Sequence, residues 1–484
     1  MNHKKTSPNL YRPTQRGQPQ RSRFPVLGRG NGRRNSEQKT VAPTRWGEPG
    51  NTRFASDGWE GEANNWRGGG GRGGKRGDWR GDDRGGKRGR SYFPEVGMRG
   101  IGGGRKGRQN STKHEHIQLN KQIASCTSAE AVFEALQQGR GRGVVPNAVN
   151  VSTAIHRLGR AGARGHERDS RFQTLLAEAE HMAADFKPQN VANTLWAFAT
   201  MRVEMPKPLV ECMVLQAERV AADFNPQDVA NTLWAFATMG VQMPKPLVEC
   251  MARQAERMAA DFNPQEVVNT LWAAAASDHV ASLFSVFAQI AAMAKQSRVW
   301  PDFSLPEVHQ MHQFFLAAEQ DCPDKECLSL LASPDVQVLA MRCREAFVAY
   351  SRAKTNPSRL QARVASSFRR VLEEDRRGQG VEVAEEQVLE VDGGGYSVDM
   401  VLRGLEEGRR VVGVVVEVDG PSHFVAVAGG EEGAWRENGS TSLKRRLLVG
   451  LGWEVISVPF FEWNLLRGSN AKDRYVRELL HFFF

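Results

Sequence analysis

The sequence predicts a multidomain protein in which a basic, disordered N-terminal tail precedes an α-solenoid and a small α/β domain. Three observations lead to this prediction. Residues 1–115 hold 26 Lys and Arg against 10 Asp and Glu. A helical signature then recurs every 38 residues, and the segment 356–484 alternates between helix and strand signals. With 484 residues, the chain is too long for one ordinary core.

The net charge of +10 is spread unevenly along the chain. The tail carries 26 − 10 = +16, and the remainder, with 39 Lys and Arg against 45 Asp and Glu, carries −6. Binding by the remainder therefore cannot depend on bulk positive charge. The most apolar stretch, 271–294, is interrupted by Asp278 and His279, so no transmembrane span is expected.

Six cysteines in a chain of this length do not make a disulfide framework, which favours a reducing compartment. Cys322 and Cys327 lie near His309 and His312 in the sequence. Their spacing fits no recognised zinc pattern, so we predict no metal there.

The tail is predicted to bind nucleic acid without ordered structure. Residues 66–90 are Gly/Arg low-complexity sequence, with too little apolar area to offset the entropy of ordering. They resemble RGG-type RNA-binding segments, in which arginines contact phosphates and stack on bases. A soluble linker is the alternative. The arginines singled out are Arg67, Arg72, Arg76 and Arg80. Residues 1–36, with nine Lys or Arg and no acid, suit either an organelle transit peptide or the start of that tail.

The middle of the chain, about 116–345, consists of repeats. Three clear copies, FKPQNVANTLWAFATM, FNPQDVANTLWAFATM and FNPQEVVNTLWAAAAS, start 38 residues apart at Phe186, Phe224 and Phe262. Weaker copies start at Asn150 and Phe303. The spacing of apolar residues within a copy predicts two helices. Stacked helix pairs bury a continuous core and leave a concave surface, which is an α-solenoid.

The helix boundaries within a repeat are predicted from helix-capping residues, prolines and glycines. Asn225 is a good N-cap, Pro226 suits the first helical position, and Gly240 ends the helix. Pro244 and Pro246 start the second helix of the pair. A short turn then leads into the next copy.

One polar position varies between the three clear copies, and it is occupied by Asn190, Asp228 and Glu266. If the first helices line a groove, these side chains offer different donors and acceptors to different RNA bases. The alternative is helix capping, since the position is third in its helix, where an acid completes a capping box. The constant residues are predicted to be structural, as inter-helix hydrogen bonds or core: Asn193, Asn231, Asn269, Trp196, Trp234 and Trp272.

The repeats resemble the octotricopeptide and related 38-residue repeats of organelle RNA-maturation factors from algae and protists. The resemblance rests on the P-Q-x-V-A-N-T-L-W-A-F-A helices. Proteins of that kind bind specific organelle transcripts, and the resemblance implies the same for this chain.

The C-terminal region, 356–484, has signals for the element order αβββαβα. A helix opens at Asn356, and Ser440 is predicted to cap the helix after the third strand. This order is that of a restriction-endonuclease-like core. The strands are predicted at 381–391, 396–402, 411–419 and 453–459.

Carboxylates interrupt two of these strands. Side chains alternate along a strand, so Glu417 and Asp419 share one face, about 7 Å apart. Asp399 interrupts the neighbouring strand, and the three acids are predicted to converge. Such a group is costly to bury unless a cation or hydrogen bonds compensate it. Mg²⁺ or Mn²⁺ is one solution, and an ion held there would bind a phosphodiester and activate water.

Other residues near the acids complete this hypothesis. His423 is placed to act as an acid or hydrogen-bond partner. Lys444, Arg445 and Arg446, on the following helix, are candidates for contact with RNA phosphates. The alternative is structural: the acids cap the turn and the next helix while the basic residues pair with them.

The motif VVVEVDGPSHF, followed by NGSTSLKRRLLVGLGWEVISVPFFEW, closely resembles the RAP domain over about 411–480. Members act on organelle RNA, and their fold is similar to very-short-patch-repair-type endonucleases. This copy has an insertion at 425–437. It also has Asp419 where the nuclease pattern has Lys, which weakens the case for cleavage.

Three functions are compatible with these features. The favoured one is a binding protein for single-stranded RNA, an organelle mRNA or rRNA, in a mitochondrion or chloroplast. The second is a metal-dependent RNA endonuclease that uses Asp399, Glu417 and Asp419, assisted by His423 and Lys444. The third is a protein–protein scaffold, because α-solenoids also bind peptides and the chain outside the tail is mildly acidic.

Overall fold

The computed structural model describes residues 104–481, apart from 164, 167, 298, 323, 354–356, 376–377, 379, 391–392, 408–409 and 428–433. The predictions for the transit segment and for the arginines of the tail lie outside the described residues. The first helix begins at Gly104, so 104–115, assigned to the tail from the sequence, are helical.

Fourteen described helices precede the first strand. They are α1 (Gly104–Ser125), α2 (Ala129–Gly141), α3 (Ala148–Arg160), α4 (Ser170–Met182), α5 (Pro188–Met201), α6 (Lys207–Arg219), α7 (Pro226–Met239), α8 (Lys245–Arg257), α9 (Pro264–Ala276), α10 (Val280–Ser297), α11 (Leu305–Asp321), α12 (Lys325–Leu331), α13 (Pro334–Ala353) and α14 (Arg359–Glu374). The first helices of the repeats, α3, α5, α7, α9 and α11, pack side by side in chain order, and α13 continues the row. The second helices, α4, α6, α8 and α10, form a second layer. The prediction of a helical-repeat solenoid is confirmed.

The helices of each repeat begin and end at capping residues. The Asn225 side chain accepts from the backbone N–H of Asp228 at 2.8 Å and caps α7. Gly240 ends that helix with φ 64°, a left-handed conformation that suits glycine. In the second helices, the buried amide of Gln254 donates to the backbone oxygen of Phe224 at 2.7 Å. Gln216 makes the equivalent bond to the backbone oxygen of Phe186, so the turns before α5 and α7 are tied to the second layer.

The C-terminal region adds six strands and three helices: β1 (Glu382–Leu389), β2 (Tyr396–Glu407), β3 (Arg410–Asp419), β4 (Phe424–Ala426), β5 (Trp435–Glu437), α15 (Gly439–Gly450), β6 (Glu454–Pro459), α16 (Phe460–Leu465) and α17 (Gly468–Leu480). The main sheet has the order β1-β2-β3-β6, with β3 and β6 parallel and the other pairs antiparallel. With α14 in front, the predicted order of helices and strands is confirmed.

One detail of the predicted region is wrong. Asn438, not Ser440, caps α15, because its side chain accepts from the N–H of Thr441 at 2.9 Å. The insertion at 425–437 contributes to the β4–β5 ladder, a second small sheet.

The two faces of the main sheet pack against two different hydrophobic cores. Val414, Val416 and Val418 face a core shared with α14 and α17. Val415 faces the opposite way, into a core that also contains α15 and the repeats. The predicted alternation along β3 is therefore confirmed, and the hydrophobic core runs without a break from the repeats into the C-terminal sheet.

α15 lies across the C-terminal ends of α7, α9 and α11. Arg446 donates to the backbone oxygen of Ala275 at the end of α9, and Gln320 of α11 donates to that of Leu447 at 3.1 Å. β4 bonds the turn after α5, where the N–H of Glu204 donates to Ala426 O at 2.9 Å. The C-terminal region is thus fixed along the edge of the row where the first helices α5, α7, α9 and α11 end. Within the described part of the chain, we find no helix with the length and apolar character to cross a bilayer.

Candidate nucleic-acid interface

The structure brings the predicted acids together on the α15 side of the sheet. Glu417 and Asp419 lie on the β3 face that looks toward α15, and both are almost fully buried, at 4% and 1% exposure. Asp399 lies on β2, the strand next to β3. Cationic side chains of α15 close over this group.

Lys444 is the partner of Glu417. Its Nζ donates to Oε2 of Glu417 at 2.6 Å, and its side chain keeps 21% exposure, so it reaches the surface beside the acid. Oε1 of Glu417 is buried and makes no hydrogen bond to any residue that the structure describes.

Arg445 is the partner of Asp419. Its guanidinium pairs with Asp419 and with Glu437 of β5, and it donates to Ser457 Oγ at 2.6 Å. Ser457 in turn donates to Asp419 Oδ2 at 2.7 Å. Arg445 is only 3% exposed, so its charge is satisfied inside the protein and does not face solvent.

Asp399 closes the open end of the β2–β3 ladder. Its Oδ2 accepts the backbone N–H of Val418 at 2.6 Å, and Gln361 of α14 donates to its Oδ1. Burial raises the pKa of Asp399 to about 6, although Lys444 and the Val418 N–H act in the opposite direction.

Burial also sets the protonation of Glu417. It raises the pKa of Glu417 to about 8 against the opposing effect of Lys444, and the nearby Asp399 and Asp419 raise it further. At neutral pH this carboxyl therefore holds its proton to a large extent. Lys444 then donates to a neutral acid.

His423 stands at the edge of the group. Its Nδ1 lies 3.2 Å from Asp419 Oδ1 and 3.2 Å from Thr441 Oγ1 of α15. The ring thus links the turn after β3 to the start of α15.

These contacts bear on the hypothesis of a metal site. The oxygens of Asp399, Glu417 and Asp419 do not all come within 4.8 Å of one another, whereas one other set among the described residues does. Lys444 and Arg445 hold two of the acids, and backbone and amide donors hold the third. The geometry therefore matches the structural alternative, in which basic side chains balance the acids, more closely than a preformed Mg²⁺ site.

The set that does meet this distance is Cys322, Asp324 and Cys327. The carboxylate of Asp324 already accepts the N–H of Cys327 at 2.7 Å as the cap of α12. Burial raises the pKa of both thiols, which keeps them in the poorly ligating neutral form. His312 bonds Gly394 O elsewhere, at 2.6 Å.

The variable repeat position lies at the helix N-termini. Asn190, Asp228 and Glu266 are all more than nine-tenths buried. Asn190 donates to Ser152 Oγ at 3.2 Å and accepts from Lys187 N, while Glu266 accepts from Asn263 N at 2.9 Å in a capping box. Burial raises the pKa of Asp228 to about 6. Asn190 and Glu266 are thus hydrogen-bonded within the solenoid, and the carboxyl of Asp228 is buried.

Another stripe of side chains forms the open face of the first helices. On α7, Gln227 is exposed and Trp234 and Thr238 are half-buried, and Asn231 lies between them at helical spacing. The same face recurs on α5 and α9. The sequence predicts inter-helix hydrogen bonds for the constant asparagines and core positions for the constant tryptophans. Within the described residues, however, the three asparagine amides make no hydrogen bond to another residue, whereas Trp272 donates to Gln313.

The predicted phosphate-binding residues on α15 differ in access. Lys444 reaches the surface, and Arg446 is bound to the end of α9 and lies 3.5 Å from Asp321. Arg445 is enclosed. Of the three, Lys444 is best placed to meet a phosphate, because it reaches solvent and is not held by the repeats.

Comparisons with known proteins agree with this architecture. Residues 416–479 match the family model of the RAP domain. Residues 122–295 match the family model described as the Tbc2 translation factor, N-terminal domain. The predicted resemblance to the RAP domain is confirmed, and so is the presence of helical repeats in front of it. The octotricopeptide assignment stays a prediction.

One curated relative is a chloroplastic RAP domain-containing protein from Oryza sativa subsp. japonica. It is 31% identical over 124 residues, which is 26% of this chain and 17% of the relative. The match therefore spans about a sixth of that protein's length.

Proposed function

We propose that this chain, with a RAP domain fixed behind helical repeats, is an organelle protein that binds single-stranded RNA. The observation that carries the proposal is the open face of the first helices. It offers the amides of Asn and Gln and the half-buried indole of Trp234 rather than charges, and the C-terminal region lies along the edge formed by the C-terminal ends of these helices. Such groups suit unpaired bases, which RNA-binding proteins stack and hydrogen-bond in single-stranded segments.

The comparisons support the same proposal. Residues 122–295 resemble a domain of a translation factor, and residues 416–479 resemble a domain found in a protein named as chloroplastic. An mRNA or rRNA of a chloroplast or mitochondrion is the expected target. The basic tail, at +16, would add affinity that does not depend on sequence.

RNA crosslinking in cells tests this proposal. The tagged chain is crosslinked with ultraviolet light, purified under denaturing conditions, and any attached RNA is sequenced. Recovery of organelle transcripts is the expected result. Recovery of proteins without RNA would instead favour the scaffold hypothesis.

The endonuclease hypothesis has a separate test. Purified protein is incubated with a bound RNA and Mg²⁺ or Mn²⁺, alongside Asp419→Asn, which keeps the volume of the side chain. Cleavage abolished in Asp419→Asn at unchanged RNA affinity would establish the nuclease. RNA that stays intact with both metals would remove it and leave the binding function in place.

A further inference from the structure

Three asparagines occupy the same position in three successive repeats: Asn193 of α5, Asn231 of α7 and Asn269 of α9. They lie 38 residues apart, at the centre of the open face. Asn231 and Asn269 are each 7% exposed, and Asn193 is half-buried.

None of the three amides makes a hydrogen bond within the part of the chain that the structure describes. Asparagine is a poor helix former compared with alanine, and these amides gain no hydrogen bond within the fold to offset that cost. Fold stability therefore gives no account of its repeated use at this position. The constant tryptophan nearby differs in this respect, since Trp272 Nε1 donates to Gln313 at 2.8 Å.

The amides are nevertheless open to the groove. Their polar atoms are not among the buried side-chain atoms that lack partners, so solvent or a ligand reaches them. One turn earlier on the same face lie the exposed side chains of Gln189, Gln227 and Gln265. On this face the asparagines are the more enclosed positions and the glutamines are the exposed ones.

We infer that Asn193, Asn231 and Asn269 each bind the same type of nucleotide, so that the middle repeats select a run of one base. The inference rests on the proposed RNA-binding function and specifies its substrate. An amide offers one acceptor and a pair of donors, and it can make two hydrogen bonds to the edge of one base. Identical amides at equivalent positions of successive repeats favour identical bases.

The spacing of the helices requires an unpaired strand. Packed helices lie about 8–10 Å apart. Successive bases in a stacked strand are only about 3.4 Å apart. One base per helix therefore needs an extended strand with splayed bases, which is the form in which proteins read single-stranded RNA. A run of one base satisfies the three positions whatever number of nucleotides lies between them.

The variable position, occupied by Asn190, Asp228 and Glu266, is less suited to base recognition. Asp228 and Glu266 lie at the buried helix starts, and Glu266 is held by its capping box. If that position read the bases, the three different side chains would select different bases instead of a run.

The test measures binding of the full chain to four 15-nucleotide homopolymers of A, C, G and U and to a mixed sequence of that length. The variants are Asn231→Ala and Asp228→Asn, the latter carrying the residue of the preceding repeat. Lys245→Gln, on the outer helix α8, is the control. Circular dichroism and thermal melting show whether each variant folds, and Asn231→Ser is a second, milder variant.

One homopolymer is expected to bind at least about tenfold more tightly than the mixed sequence, and Asn231→Ala to reduce that preference about fivefold or more. Equal binding of all five RNAs, or an unchanged preference in folded Asn231→Ala and Asn231→Ser, would overturn the inference and leave RNA binding intact. A preference altered by Asp228→Asn alone would also overturn it. Failure to bind any RNA would overturn the proposed function itself.

Discussion

Glu417 shows how burial and charge compete at a single residue. It sits on a strand of valines, 4% exposed, with Lys444 at 2.6 Å and with Asp399 and Asp419 nearby. The ammonium lowers the pKa of this carboxyl, but loss of hydration raises it more, to about 8. The group therefore carries its proton more readily in the folded protein than in the unfolded chain.

The first prediction follows from this difference. A carboxyl whose pKa rises from 4.5 to about 8 on folding stabilises the fold below about pH 4.5, and this stabilisation disappears as the pH rises through 8. Glu417→Gln removes the titration but keeps an acceptor for Lys444. Relative to the natural chain, its free energy of unfolding should rise between pH 5 and pH 8, by at most about 1.4 kcal/mol per pH unit. Urea unfolding at each pH measures it.

Glu478→Gln, at an exposed position on α17, is the matched control for removal of a carboxylate. If the difference in free energy of unfolding between Glu417→Gln and the natural chain stays constant over this pH range, the raised pKa of Glu417 is contradicted.

The second prediction concerns Arg445, which balances Asp419 and Glu437 while almost fully buried. Arg445→Met leaves the buried Asp419 without its cation and should reduce the free energy of unfolding by about 3–5 kcal/mol. Arg445→Lys should recover part of this stability, since an ammonium cannot make all the hydrogen bonds of the guanidinium fork. Denaturant unfolding compares them with Arg477→Met, whose ion pair is exposed and contributes about 0–1 kcal/mol. An Arg445→Met protein as stable as the natural chain would exclude this role.

At this scale the sequence predicted that the acids would meet and, as the structural alternative, that basic residues would pair with them, but not which partner each acid would have. Alternation along β3 placed Glu417 and Asp419 on one face, and that placement is confirmed. The partners come from α15, whose position depends on packing against the repeats, and no local pattern encodes that packing. Within the described residues, Oε1 of Glu417 and the three asparagine amides have no hydrogen-bond partner. This too depends on the assembled fold and not on a local pattern.

At the scale of elements, helices and strands could be predicted well because their signals are local. The Asn-Pro start and glycine end of α7, and the valine-rich run of β3, lie within a few residues of the elements they define. The start of α1 at Gly104 was missed because a Gly/Arg-rich composition suggested disorder up to 115. The docking of α15 was missed because it joins residues far apart in the chain.

The third prediction tests that docking. Gly439 begins α15 directly against α7, where a Cβ would overlap the backbone oxygen of Ala237. Gly439→Ala must displace one helix from the other, and overpacking of this kind is destabilising by about 1–3 kcal/mol. Thermal and urea unfolding measure the change. Gly420→Ala is the control, because its backbone has φ −74° and no atom lies within 4 Å of the added Cβ. Equal stability of the two variants would show that α15 tolerates a shift away from α7.

At the scale of the whole molecule, charge and surface chemistry are divided between regions. The open face of the solenoid carries amides and indoles, and the chain after residue 115 has a net charge of −6. The tail holds the positive charge that RNA backbones attract. Sequence preference and electrostatic affinity therefore belong to different parts of the chain, and they can be separated experimentally.

The last prediction makes that separation. A chain beginning at Gly104 keeps α1 whole but lacks 22 of the 26 Lys and Arg of the tail. It should therefore bind every RNA more weakly than the full chain. The slope of log affinity against log salt should become shallower by about 0.7 for each phosphate that the tail would otherwise neutralise. The ratio between the preferred and the mixed RNA should stay the same, since the groove is intact. Fluorescence anisotropy over a range of salt concentrations measures both quantities. If the preference disappears with the tail while the melting temperature is unchanged, the tail and not the solenoid selects the RNA.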